Sequence, residues 1–316
     1  LYAIRNTHHA SMRLTHLSLT NFRNFARLDI ELPQESILLA GHNAQGKTSV
    51  LEAIYFMAAF TSFQTHTDRQ LLNFIAARNK GLSVGRIVAE YQKANTRHQL
   101  EARLILEPVG VNGKRLRKEI LVDGIKRQAS EAIGHFNAAL FVPQMSQIIE
   151  GSPRERRRYL NQTLAQIIPA YARVLGDYKQ AVTQRNALLK QLAERGGDPE
   201  QLVYWDETIS EKGAQIIIWR IQAVRELEKL ATRIHHELTH GVEVLRLGYE
   251  PAYDPLPDPE NQYALKMETL PDRSGIELAT VKKGFSQQLK SLRTEEIARG
   301  VTTIGPHRDE LRFFAN

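Results

Sequence analysis

Apolar and polar residues alternate over residues 13–20 (Arg-Leu-Thr-His-Leu-Ser-Leu-Thr) and again over 26–32, the period of two half-buried strands. Between them lies Asn21-Phe22-Arg23-Asn24-Phe25. A short apolar run at 35–40 has the character of a buried strand, and residues 49–59 place apolar side chains at helical spacing. Further strands are predicted at 85–92, 98–106 and 118–122, with Asp123-Gly124 as a hairpin turn. Residues 137–142 read as one more buried strand, stopped by Pro143.

The pattern changes at Gly151-Ser152-Pro153, where Ser152 suits a helix cap and Pro153 a first turn. Leu160, Leu164, Ile167, Tyr171, Val174 and Tyr178 follow at alternating spacings of four and three, a coiled-coil-like seam. Gly196-Gly197-Asp198-Pro199 interrupts it. A second seam runs through Ile217, Ile221, Val224, Leu227, Ala231, Ile234 and Leu238. Two helices of roughly 40 residues, ~60 Å each, are therefore predicted to fold back as an antiparallel hairpin. A strand is predicted at 242–249, a Pro-rich loop at 251–271 and a helix at 277–299. The chain thus divides into an α/β part at 12–150, a helical arm at 151–241 and a segment at 242–316 that returns toward the first part. Residues 1–11 precede the first strand as an extension with no signal-peptide character.

Gly41, His42, Asn43, Ala44, Gln45, Gly46, Lys47 and Thr48 fit G-x-x-x-x-G-K-[ST], the phosphate-binding loop of nucleoside triphosphatases. Each position has a task. Glycines allow a tight turn and close approach of the backbone; the loop's N–H groups converge into an anion nest. Lys47 reaches the β- and γ-phosphates and the Thr48 hydroxyl ligates Mg²⁺. The loop's place between a predicted strand and a helix, whose N-terminus adds its positive dipole end, makes the match specific. ATP and Mg²⁺ are the expected ligands.

Composition narrows the field. The chain has 316 residues, 42% hydrophobic and 24% charged, within the range of globular domains. No apolar run approaches the ~18 residues of a membrane span, and a cytoplasmic location is expected. There is no cysteine, which excludes disulfides, thiolate zinc sites and cysteine nucleophiles. His236 and His240 stand four apart on a helix, a weak metal signature by itself. A formal charge of +7 favours polyanionic partners. Lys114, Arg115, Arg117 and Lys118, near Lys126 and Arg127, form one basic cluster; Arg154, Arg156, Arg157 and Arg158 form another. Either suits phosphate contacts or a solvated charged face. Aromatics do not interleave with them, so base stacking by these clusters is not expected.

Several separated segments, in order, resemble the RecF family of bacterial recombination-repair ATPases. These are the "L-x-x-F-R-N-F" run ending at Phe25, the phosphate loop, Phe141-Val142-Pro143, Gly151-Ser152-Pro153 with Arg156-Arg157-Arg158, and Gly305-Pro306-His307-Arg308-Asp309. The resemblance implies an α/β fold with a P-loop ABC-type ATPase head (lobe I), related to SMC proteins, and an inserted helical arm (lobe II). It also implies ATP-dependent homodimerisation, binding to single-stranded, gapped or junction DNA, and partnership with RecO and RecR in loading recombinase. Arg23 and Asn24 become nucleotide-proximal candidates, or a structural turn. His307 and Arg308 become further candidates because the late motif returns to the head, with packing or capping as the alternative for His307; Gln144 is a candidate for positioning metal or water, with a plain loop glutamine as the alternative.

The chain departs from the family pattern at Gln144-Met145-Ser146, where the family shows an acidic pair and an apolar residue. Neither the signature motif nor an apolar strand ending in paired acids is found before Asn316. The nearest acidic strand end, Glu119-Ile-Leu-Val-Asp123, runs into a hairpin turn. A carboxy-truncated family member is therefore expected, with catalytic residues unassigned and with ATP binding but not turnover. Two other classes fit a phosphate loop. A small-molecule kinase would not need the long arm, and a structural SMC-like clamp would carry much longer arms.

Overall fold

The computed structural model describes residues 12–65, 67–78, 81–110, 113–256 and 271–316. The extension before Met12 and most of the 251–271 loop lie outside them. Two compact units result. The first comprises residues up to Phe141 with Ala165–Pro169; the second comprises Val142–Leu164 and Ala170–Asn316. The first division therefore falls nearer residue 141 than 150.

The first unit is an antiparallel sheet with a helix on one face. Its strands are β1 (Met12–Phe22), β2 (Phe25–Glu31), β3 (Ser83–Lys93), β4 (Thr96–Val109), β5 (Gly113–Val122) and β6 (Ile125–Arg127), ordered β2-β1-β3-β4-β5-β6. Register follows from the period-two pattern. Leu17 faces Ala89, which faces Leu100, which faces Val122; Leu19, Ile87, Ala102 and Ile120 form the adjacent row. Both rows lie on one face because side chains alternate along each strand. Against them pack Ala53, Phe56 and Met57 of α1 (Lys47–Ala59) in one buried core. The opposite face is polar: Glu101 is buried between Arg86 at 2.7 Å and Arg103 at 2.6 Å. Two short helices, α2 (Phe74–Arg78) and α3 (Ala129–Ala132), complete the unit.

Two predicted strands are absent. Residues 35–40 and 137–142 are irregular, with Leu38 89% and Phe141 91% exposed. The sheet ends at β2 and β6, and neither segment pairs with an edge. An apolar run without a hydrogen-bonding neighbour cannot satisfy its backbone as a strand.

The second unit holds α4 (Gln147–Glu150), α5 (Pro153–Ile167) as far as Leu164, α6 (Tyr171–Arg195), α7 (Val203–Leu238), α8 (Leu278–Ser291) and α9 (Arg293–Arg299), with β7 (Leu245–Glu250) paired antiparallel to β8 (Glu310–Ala315). The first predicted long helix is two helices: α5 stops at Ile167 because Pro169 excludes helical geometry at the residue before it. The second is continuous, 36 residues and so ~54 Å long. Gly213 lets α8 approach α7, since a Cβ there would stand 2.6 Å from the Phe285 ring. The predicted 277–299 helix breaks into α8 and α9 around Leu292. β7, α8 and α9 pack on α6 and α7 of their own unit.

This unit's interior is unusually charged. Arg185, fully buried, bonds Asp206 at 2.7 Å and Glu296 at 2.5 Å, and Arg293 closes on Asp206 at 2.9 Å. Among the described residues no helix is long and apolar enough to cross a membrane.

Candidate functional site

Residues 41–45 continue the irregular 35–40 segment as an exposed loop, Gly46 is buried, and Lys47 begins α1. Gly46 has φ +93°, and a Cβ there would lie 2.5 Å from the Phe25 ring and 2.7 Å from the Asn24 amide. Only glycine meets both the backbone angle and the contact. The Asn24 amide donates to the Ala44 carbonyl at 3.4 Å. The Phe-Arg-Asn-Phe turn thus backs the phosphate loop directly. Lys47 Nζ donates to the carbonyls of Gly41 at 2.8 Å and His42 at 2.7 Å, which draws the ammonium over the loop.

Arg23 sits in the left-handed region, φ +52°, and its guanidinium grips Glu52 with two bonds of 2.6 Å. Its third donor reaches the Gln70 carbonyl at 3.0 Å. Glu52 lies on α1 at 0% exposure and also accepts from the Ser62 hydroxyl. Ser62 in turn accepts from the N–H groups of Gln64 and Thr65 at 2.9 and 3.0 Å. Asn73 fixes the other side, donating from its amide to the Arg23 carbonyl at 2.8 Å, and Phe22 bridges to Leu72.

These elements enclose a cleft of about 500 Å³ lined by Asn43 to Ser49 and by Arg23, Asn24, Gln64, Gln70, Leu72 and Phe74, a size suited to a small ligand. Among the described residues no carboxylate lines it, while Arg23 and Lys47 do, so these side chains favour an anion. Thr48, on the first turn of α1, also lines it. No group of three His, Cys, Asp or Glu able to hold a metal occurs among the described residues. Of these lining residues, the Thr48 hydroxyl is the one suited to hold Mg²⁺ beside bound phosphate oxygens, Mg²⁺ being a cation that takes oxygen ligands.

The other predicted site residues belong to the second unit. Gln144 is exposed on the single turn Pro143–Ser146. His307 is packed: its Nδ1 is 2.7 Å from the Tyr178 hydroxyl and its Nε2 is 3.2 Å from the Thr302 carbonyl. Burial pushes its pKa down. Arg308 is exposed.

Much of the basic clusters is committed to other bonds. Lys118 pairs with Asp68 at 2.7 Å and donates to the Phe60 carbonyl at 2.7 Å; Lys114 donates to the Ala77 carbonyl at 2.6 Å. Arg117 pairs with Glu119 and Glu107. Arg156 forks onto Glu310, closest at 2.7 Å, and Arg157 donates to the Asp309 carbonyl at 2.7 Å. A fully solvated basic face is thus not what these residues form. Arg115 and Arg154 are exposed and make no ion pair among the described residues.

Beyond the motif, the sequence singles out only Arg23 and Asn24 among the cleft residues. Glu52 carried a signal, a carboxylate inside an apolar helical stretch, which calls for a cationic partner. Gln64, Gln70 and Phe74 carried none, because their place depends on the docking of 71–73 against the 21–25 turn.

A phosphate loop opening a helix under an antiparallel sheet, with a separate helical unit, defines a P-loop ATPase fold of the ABC type. Residues 12–118 match the AAA ATPase domain family. The "DNA replication and repair protein RecF" of Herpetosiphon aurantiacus is 35% identical over 307 residues, 95% of this chain and 74% of the relative. That of Roseiflexus castenholzii is 36% identical over 309 residues, with the same coverage. Two solved structures, described as the recombination mediator protein RecF-ATPrS and RecF-ATP in the RecFOR pathway, align with TM-scores of 0.80 and 0.79 at 25% and 26% identity. They cover 98% and 97% of this chain, which spans 75% of each. The chain belongs to the RecF family. It spans about three quarters of the length of these relatives.

Proposed function

We propose that this protein is an ATP-switched DNA-binding protein of DNA replication and recombinational repair. The observation that carries the reading is the cleft itself: Lys47, Thr48, Asn24 and the Glu52-anchored Arg23 surround one anion-suited loop. Membership of a family whose relatives carry replication and repair names, and whose solved neighbours are described with ATP, supports it. When bound, Mg²⁺ neutralises phosphate charge, while the chain supplies loop N–H groups, the Lys47 ammonium and the Thr48 hydroxyl. The proposed DNA is single-stranded, gapped or junction DNA, with phosphate contacts proposed at Arg115 in the first unit and at Arg154 in the second. RecO and RecR are the proposed partners in recombinase loading, and ATP the trigger for homodimerisation.

The test is calorimetry with ATP and Mg²⁺, followed by retention on gapped DNA with and without ATP. Lys47→Ala should weaken ATP binding, a charge-assisted contact being worth roughly 1.5–3 kcal/mol, and should abolish ATP-dependent retention. Equal ATP affinity in the two proteins would defeat the assignment.

A further inference from the structure

The cleft continues past the phosphate loop. It is also lined by Gln64, Gln70, Leu72 and Phe74, none of them charged, which the phosphates alone would not use. Phe74 is the one aromatic ring among the described lining residues, and it is 64% exposed. The exposed ring stands in the wall of the cleft that holds the phosphate loop.

The ring is also held in place. Leu72 is tied to Phe22 by a β-bridge. Asn73 N–H donates to the Asn21 carbonyl at 2.8 Å. Its side-chain oxygen accepts from the N–H groups of Ile75 and Ala76 at 3.1 and 3.3 Å, fixing the start of α2. The Arg78 guanidinium lies 3.9 Å from the centroid of the Phe74 ring, stacking on it as cations do on aromatic faces. So the ring is pinned from its backbone side and its motion is restricted by Arg78, while it still lines the cleft.

We propose that Phe74 is the stacking surface for the base of the nucleoside triphosphate whose phosphates bind residues 41–48, and that Gln64 and Gln70 meet the edge of that base. The inference rests on the ATP reading above. A flat heteroaromatic base fits a rigid aromatic platform, and stacking on such platforms tolerates any base because every base has a π-face. The two glutamine amides are neutral and both donate and accept, which suits an uncharged base edge with mixed donors and acceptors.

The experiment compares ATP with inorganic tripolyphosphate, each with Mg²⁺, on wild type, Phe74→Ala, Phe74→Trp and Lys47→Ala. Phe74→Ala should weaken ATP about tenfold, within the range of base–aromatic stacking, and leave tripolyphosphate affinity unchanged. Phe74→Trp should retain ATP affinity, with its emission changing on ATP and not on tripolyphosphate. Lys47→Ala should weaken both ligands. If Phe74→Ala binds ATP as wild type does, or if wild type binds ATP no better than tripolyphosphate, the base platform is wrong. If Phe74→Ala loses both ligands equally, the ring acts on the loop and the proposal is again overturned. If Lys47→Ala changes neither, it is the phosphate-loop reading that fails.

Discussion

Arg220 and Asp309 hold each other at 2.6 Å, each side chain 1% exposed, although 89 residues separate them. Asp309 also accepts from the Tyr249 hydroxyl and, at 2.9 Å, from the Ala252 N–H. Arg220 donates as well to the Pro306 carbonyl at 2.7 Å and to Asn161 at 2.9 Å. The last residue of the Gly-Pro-His-Arg-Asp run is therefore a structural anchor joining α7 to both strands of the small sheet.

Removing one partner of such a pair strands the other charge. Asp309→Asn is expected to destabilise the second unit by about 3–5 kcal/mol. Urea unfolding followed by circular dichroism reads this; a loss under ~1 kcal/mol would mean that Arg220 finds another acceptor without cost.

The arginines at the start of α5 should separate by role. Arg156→Ala removes the fork to Glu310 and should lower the melting temperature. Arg154→Ala should leave melting unchanged and reduce the salt slope of DNA binding by about 0.7–0.9, as expected for one lost phosphate contact. An unchanged slope in the Arg154 variant would remove that residue from the DNA surface.

Glu52 is expected to govern the cleft from beneath. Glu52→Gln leaves Arg23 without its carboxylate and weakens the Ser62 contact, costing roughly 3 kcal/mol of stability. ATP affinity should fall with it, because Arg23 loses its fixed position. Wild-type ATP affinity in a properly folded Glu52→Gln protein would show that Arg23 placement does not matter to the ligand.

Acid should destabilise the second unit through His307. Burial holds its pKa below the ordinary value, so the unfolded chain takes up a proton that the folded one resists. The resulting stabilisation is complete above the unfolded pKa, ~6.5, and is lost as pH falls below it. His135, lowered chiefly by burial, acts in the same direction in the first unit. Melting temperature should drop between about pH 7.5 and about pH 5.5, and His307→Asn should shrink that drop. An unaltered drop in the variant would assign the acid sensitivity elsewhere.

The sequence made legible what is local. Alternation located β1 to β5, the phosphate-loop motif gave the loop, and the seams gave α6 and α7 with many of their buried residues, among them Tyr171, Val174, Tyr178, Ile217 and Val224. Apolar content alone misled at 35–40 and 137–142, because a strand needs a neighbour and periodicity does not reveal one. The seam across Pro169 misled for a related reason: side-chain spacing continued through a residue that the backbone could not accommodate in a helix. The long-range charge pairs, Arg23 with Glu52 and Arg220 with Asp309, were out of reach because each depends on chain segments brought together only by the completed fold.

Four of the five pairings in the six-stranded sheet join strands consecutive in sequence; the exception is β1 with β3. Residues 32–82 leave the sheet at β2 and re-enter it at β3, carrying the phosphate loop, α1 and α2. Hairpins close quickly, whereas a long excursion must first lose its chain entropy. The slow step in assembling this unit is then the meeting of β1 with β3, and the same step brings the 21–25 turn to residues 71–73. Recovery of ligand binding during refolding should track the formation of the sheet rather than lag behind it, since one chain closure delivers both.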